Sequence, residues 1–256
     1  MIERQKFLKI GLIKKKNFLS LKDKQLIRSN FKSILSNFTS CKFVSFEDSN
    51  LHKSLIKIRK NNPKKFGDFY DMLNLSSGIK QLFFQDKFLK LFSKTLNIDI
   101  YKIYINGFMF RLDVPNDTRN SLDWHQDSPY YEMNYPEFNS GVCWISITAN
   151  NFNNGSLQYI PKSHKNGMVE AKSSKYKKLN SQQFKINVKK DSKVQTLESL
   201  FGDVSIFHMN IKHRSGLNIS NKIRITIGCR FHEFNKKFNI GKEVYIFNKS
   251  KKTSLF

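Results

Sequence analysis

The period of the apolar residues changes once along this chain, near residue 98, and that change limits the folds open to it. Upstream, residues 21–38 set Leu21, Leu26, Ile27, Phe31, Ile34, Leu35 and Phe38 on one helical stripe. Residues 79–96 repeat the pattern, with Ser76–Ser77 as a start signal. Downstream, IDIYKIYI alternates from Ile98, and strand-like runs follow at 141–149, 156–160, 184–188, 203–211 and 222–232. Turn-forming clusters divide them, among them Pro115–Asn116–Asp117, Asn153–Asn154–Gly155, Gly202–Asp203 and Ser215–Gly216. Helices first and many short strands afterwards predict an antiparallel sandwich or barrel backed by N-terminal helices. No internal repeat or Pro/Gly/Ser linker interrupts the 256 residues, so they read as one domain. Within it, about 1–97 is helical, about 98–235 is the β core, and 236–256 is a basic C-terminal segment.

Two of the strands show a division of labour. In 222–231, Ile223, Ile225, Ile227 and Cys229 point one way, and Arg224, Thr226, Gly228 and Arg230 the other. In 142–148, Ile145 and Ile147 oppose Trp144, Ser146 and Thr148. An aliphatic face backed by a polar face with Arg and Trp fits a sheet packed outward on helices, its inner face lining a cavity. For either strand alone, an ordinary solvent face gives the same pattern.

The net charge of +25 raises nucleic-acid binding. The kind of residue argues against it. Only eight of the 45 basic residues are Arg (4, 28, 59, 111, 119, 214, 224 and 230); the rest are Lys spread along the whole chain. A nucleic-acid face prefers the forked guanidinium. Lys, Asn, Phe and Ile are residues of AT-rich codons, and the chain has only two alanines, Ala149 and Ala171. Base composition therefore accounts for much of the excess, and an anionic substrate is compatible with it. No apolar run approaches the roughly 18 residues of a membrane span. The charged N-terminus has no signal-peptide core. Three scattered cysteines form no CxxC pair, which fits a reducing cytoplasm.

The chemistry-bearing candidate is His125–Gln126–Asp127. On a strand, residues i and i+2 share a face, so imidazole and carboxylate can reach one point. A His-x-acid triplet alone carries little, because chance supplies such triplets readily. A third ligand must come from a distant strand, with His52, His164, His208, His213 and His232 as candidates. His213 stands out: Ser215 follows two residues on and Arg224 eleven residues on, at the start of the alternating strand. Two His and one carboxylate on one face of a metal leave three open positions, as in non-haem Fe(II) oxygenases. An Arg in the same cavity can bind a carboxylate through two parallel hydrogen bonds.

Four blocks together resemble the phytanoyl-CoA dioxygenase-like branch of the Fe(II)/2-oxoglutarate oxygenases. They are WHQD (124–127); CWISIT (143–148) with NNGSLQYIPKSHK (153–165); GDVSIFHMNIKHRSGLNIS (202–220); and Arg224 at the family's spacing beyond His213. Lys162 stands where that family usually has Gly. The resemblance implies a double-stranded β-helix core (jelly-roll or cupin-like) backed by N-terminal α-helices. It implies Fe(II) held by His125, Asp127 and His213, and 2-oxoglutarate with its far carboxylate on Arg224 and Ser215. It also places Trp144 and Gln126 beside the co-substrate. The implied reaction consumes O₂, decarboxylates 2-oxoglutarate to succinate and CO₂, and hydroxylates a small molecule. Related halogenases lack the carboxylate, so Asp127 favours hydroxylation.

Two other classes stay open at this stage. A non-catalytic binding module on the same barrel predicts a lost ligand or lost co-substrate Arg. A nucleic-acid-binding or nucleic-acid-modifying protein predicts clustered Arg or a shorter His125-to-His213 interval. Neither feature is seen. His208 reads as a packing histidine and His164 as part of a turn. Arg111 and Asp113 read as a surface pair, and Tyr130 and Tyr131 as pocket wall or core filler.

Overall fold

In the computed structural model of this protein, the structure describes residues 2–118, 121–130, 139–176 and 181–234. The basic segment 236–256 and Tyr131 lie outside the described residues. Six helices come from the first hundred residues: α1 (Ile2–Ile10), α2 (Leu21–Leu35), α3 (Ser49–Asn61), α4 (Pro63–Leu75), α5 (Ser77–Lys80) and α6 (Asp86–Leu96). Local chemistry starts and stops them. Ser20 and Asp23 form a reciprocal capping box at α2, and Pro63 opens α4 behind the Asn62 cap. Asn97 ends α6 in the left-handed conformation.

The helix expected over 79–96 is two pieces joined by a 3-10 turn, with Gln85 extended between them. At 100° per residue, an unbroken helix would turn Leu82 about 120° away from Phe88. The break lets Leu82, Phe83, Phe88 and Phe92 all bury together. Leu21, expected on the α2 stripe, is instead exposed at the helix start; Ile27, Phe31 and Leu35 carry the contact.

The strands are β1 (Leu12–Lys15), β2 (Ile103–Asp113), β3 (Ser140–Ser146), β4 (Gln158–Tyr159), β5 (Lys172–Tyr176), β6 (Ser181–Lys185), β7 (Gln195–Thr196), β8 (Val204–His208), β9 (His213–Arg214) and β10 (Arg224–Glu233). They pair antiparallel in a five-stranded sheet of order β1-β8-β3-β10-β2, a three-stranded sheet β7-β4-β9 and the hairpin β5-β6. Two facing antiparallel sheets with helices on the outer face are the double-stranded β-helix architecture the sequence implies. β1 was not foreseen: this short N-terminal strand pairs with β8 at the edge of the large sheet.

The large sheet separates two cores. Its outer face, with Ile145, Ile147, Ile206, Ile223, Ile225, Ile227 and Cys229, packs on the helices around a Phe cluster. In that cluster Phe31 meets Phe43, Phe46 and Phe69 edge to face. Its inner face joins the small sheet through Leu12, Val142, Trp144, Leu157, Tyr159, Leu197 and Phe207. The two-faced reading of β3 and β10 holds. Phe92 of α6 stacks on Phe231 of β10 with ring centroids 4.1 Å apart. Phe231 also lies where a side chain on Gly141 would be, 2.5 Å from a Cβ there. No helix among the described residues is long and apolar enough to cross a membrane.

Removing the ring that joins helix to sheet should be costly. Phe92→Ala should lower stability by about 3–5 kcal/mol, read as a lower urea midpoint. Tyr101→Ala, at a residue 91% exposed, should stay within about 0.5 kcal/mol of the parent.

Candidate metal centre

The 125–128 segment runs antiparallel to 209–213 and is fastened to it by backbone bonds. His125 N donates to His213 O at 2.9 Å, His213 N returns to His125 O at 3.0 Å, and Asp127 N donates to Met209 O at 2.9 Å. Pairing at His125↔His213 puts both imidazoles on the inner face. Asp127, two residues along, joins them there. His125 Nε2 lies 3.6 Å and His213 Nε2 3.7 Å from Asp127 Oδ1, and all three donor atoms are within 4.8 Å of one another. All three residues are buried.

Their neighbours leave the inward atoms ready for a cation. His125 Nδ1 faces Asp123 O at 2.7 Å, and His213 Nδ1 faces Ile211 O at 3.0 Å. A carbonyl only accepts, so each Nδ1 carries the proton and each Nε2 offers its lone pair inward. Burial, reinforced by His125, pushes His213 down to about 3 against the pull of Asp127, so the ring stays neutral. Burial alone would raise the Asp127 pKa, but Arg230 and the two histidines hold it well below the usual carboxylate range. Two imidazole nitrogens and one carboxylate oxygen fit a divalent metal with positions left open. No fourth His, Cys, Asp or Glu joins them among the described residues.

The site opens into a cavity of about 220 Å³ between the sheets, lined by Tyr70, Met109, Leu122, Trp144, Ser215 and Arg224 among others. Arg224 is buried on the inner face of β10. Its Nη2 meets Asp113 Oδ2 at 2.7 Å, while Nε and Nη1 have no hydrogen-bond partner. Trp144 Nε1 and Thr226 Oγ1, on the same face, are likewise unpartnered. Buried donors without acceptors cost stability, and a ligand carboxylate would satisfy them. Burial lowers the Arg224 pKa to about 10, with Asp113 opposing, so it stays charged at neutral pH.

Two sequence expectations need correction. Arg111 and Asp113 are not a surface pair. Their side chains are 13% and 11% exposed; Arg111 Nη2 meets Asp113 Oδ1 at 2.9 Å and Ser215 Oγ at 3.3 Å, and its guanidinium lies 5.6 Å from the Trp144 ring. Alternation along β2 puts both on the Met109 face, directly opposite Thr226 and Arg224. Gln126 does not reach the cavity. Lying between His125 and Asp127, it points the other way, donating to Gly167 O and Asn210 O and accepting from Val169 N. It braces the motif from behind.

Arg230 was passed over as a site residue. It bonds Asp127 Oδ2 through Nε at 3.2 Å and Nη2 at 3.1 Å. Its place on the Arg224 face of β10 was the available signal. The other histidines take structural roles. His164 Nε2 faces Leu8 O, His208 packs on Phe7 and His164, His232 bridges Ser140 and Asn106, and His52 Nδ1 accepts from Ile223 N. Tyr130 packs edge-on to His125 and bonds Phe184 N.

The sequence model of the phytanoyl-CoA dioxygenase family (PhyH) matches residues 8–226. No curated protein sequence matches significantly. Three similar solved structures are the following. The α-ketoglutarate-dependent epimerase SnoN, in complex with Fe³⁺, α-ketoglutarate and nogalamycin RO, is 11% identical with a TM-score of 0.62, covering 91% of this chain and 82% of its own. EvdO2 from Micromonospora carbonacea var. aurantiaca, complexed with 2-oxoglutarate, is 13% identical with a TM-score of 0.61, covering 91% and 90%. EctD from S. alaskensis, with 2-oxoglutarate and 5-hydroxyectoine, is 15% identical with a TM-score of 0.59, covering 91% and 75%. At these identities the likeness is one of fold.

The buried histidines predict an acid-labile fold. Burial holds His208 down to about 4 and His232 to about 3. An unfolded chain protonates both below about 6.5, so it binds more protons than the native state as pH falls. Stability should therefore drop from pH 6.5 toward 4, by about 1 kcal/mol per group per pH unit. Urea midpoints of metal-free protein at pH 7 and pH 5 test this, and His232→Asn should flatten the dependence.

Proposed function

The chain belongs to the phytanoyl-CoA dioxygenase family, and from that premise we propose that it is an Fe(II)- and 2-oxoglutarate-dependent dioxygenase that hydroxylates a small molecule. The observation that carries this reading is one buried cavity holding both halves of the chemistry. The His125, Asp127 and His213 donors meet at one point, and Arg224, whose buried Nε and Nη1 have no hydrogen-bond partner, lines the same space. With iron, 2-oxoglutarate and O₂ bound, such a centre yields succinate and CO₂ and delivers one oxygen atom to the substrate.

The protein's own part is positioning and electrostatics. His125 and His213 offer fixed Nε2 lone pairs because Asp123 O and Ile211 O hold their Nδ1 protons. Asp127 supplies the charge that favours ferrous iron over a neutral ligand set. Arg224 takes the far carboxylate of 2-oxoglutarate, with Ser215 and Trp144 beside it in the cavity wall. The apolar surface of Met109, Leu122, Val142, Leu157 and Phe207 limits water near the reacting atoms.

The carboxylate at Asp127 leaves no ligand gap for halide, which favours hydroxylation. Among the described residues, no lysine lines the cavity. Its positive charge comes from Arg111, Arg214, Arg224 and Arg230, three of which are paired with Asp113 or Asp127.

Anaerobic titration of metal-free protein with Fe(II) and then 2-oxoglutarate tests the reading. The expected result is the visible charge-transfer band of the chelate. That band should be absent in His213→Ala, and Arg224→Ala should weaken 2-oxoglutarate binding about 10- to 100-fold, as expected for a lost charged hydrogen bond. Folded protein that gives no band would sink the enzyme and return the barrel to the binding-module class.

A further inference from the structure

Asp127 has two carboxylate oxygens, and the structure uses them differently. Oδ1 faces the two histidine nitrogens. Oδ2 is taken by Arg230 through Nε at 3.2 Å and Nη2 at 3.1 Å, a side-on fork. The third guanidinium nitrogen, Nη1, donates to Gly107 O at 3.1 Å. Arg230 thus spans from the carboxylate to the backbone of β2.

That backbone is shaped for the purpose. The β10–β2 register is even from Arg224↔Asp113 to Gly228↔Met109, and then shifts so that Arg230 pairs with Asn106. Phe108 and Gly107 together oppose the single residue Cys229, a β-bulge. Gly107 sits at φ 55, a left-handed conformation that costs glycine little. At this bulge the Gly107 carbonyl accepts the hydrogen bond from Arg230. An unpaired carboxylate in this buried setting could swing either oxygen, or both, toward a cation; a guanidinium fixed at both ends removes that freedom.

Resting on the proposed metal site, we infer that Arg230 is a positioning residue, anchored by the Gly107 bulge, that holds Asp127 to one-oxygen ligation of the metal. Asp127 would then offer a bound metal one oxygen, Oδ1, rather than two, leaving more of its coordination sphere for co-substrate and O₂. Arg230 does not itself touch the metal.

Co(II) is the probe, because its d–d absorption reports coordination number and its affinity is measurable by calorimetry without turnover. Wild type should bind one Co(II), and Asp127→Ala should lose it. Arg230→Gln should bind 10- to 100-fold more weakly, as is usual when a ligand's supporting hydrogen bonds are removed, with altered d–d intensity. Arg230→Lys, which keeps the charge but not the fork, should recover part of the affinity and not the wild-type spectrum. If Arg230→Gln misfolds, the Arg230→Lys spectrum alone decides. Wild-type affinity and an unchanged spectrum in a folded Arg230 variant would overturn this inference and leave the metal site standing. No Co(II) binding by wild type would overturn both.

Discussion

Two carboxylates and three guanidinium groups pair across the space between the two sheets, and their mutual neutralisation is the constraint the inner face is built around. Asp127 is paired with Arg230, and Asp113 lies between Arg111 and Arg224. A charge taken out of water without a partner costs several kcal/mol, so none of these residues could be tolerated there singly. Pairing leaves one of these guanidinium groups in excess, and Arg214 adds another to the cavity lining. The cavity is therefore electropositive where Arg224 has unpartnered nitrogens, and the Asp127 carboxylate is held at the other end. Polarity within the pocket follows from which acid neutralises which base.

The inner face is free to carry charge because the outer face of the same sheet carries the hydrophobic burial. Every second residue of β10 enters a Phe-rich core against the helices, and the alternate residues face inward, with Arg224 and Arg230 lining the cavity. The 24 Phe and the N-terminal helices are in this sense part of the site. They hold the sheet rigid enough to keep donor atoms from segments about 90 residues apart within 4.8 Å. Backbone pairing of the 125–128 segment with 209–213 finishes the alignment. The histidines are oriented by carbonyls of their own segments, so orientation is nearly complete once that pairing forms.

Family membership and the geometry of the centre agree on an iron-dependent, 2-oxoglutarate-dependent oxygenase type. The similar folds include an enzyme described as an epimerase and one described as a monooxygenase. The same fold thus hosts more than one kind of reaction.

The change from helical to strand period, the two-faced character of β3 and β10, and the short set of residues able to bind a metal are all legible in the sequence. These depend on local periodicity and residue chemistry, which a chain carries regardless of its partners. His125, Asp127 and His213 could be named because their types and spacing are those that a three-ligand site requires. Which inner-face residues meet depends instead on packing between distant segments. Arg111 and Asp113 looked like a surface pair because alternation assigns a face but not whether that face is buried. Arg230 looked like one of several strand arginines, and only the pairing of the 125–128 segment with 209–213 over the inner face brings Asp127 against it. Gln126 is the converse case: the alternation that joins His125 to Asp127 already puts it on the reverse side, and the structure shows what it braces there. Register, bulges and pairing between distant segments are set by packing across the whole sheet, and no local stretch of sequence encodes them.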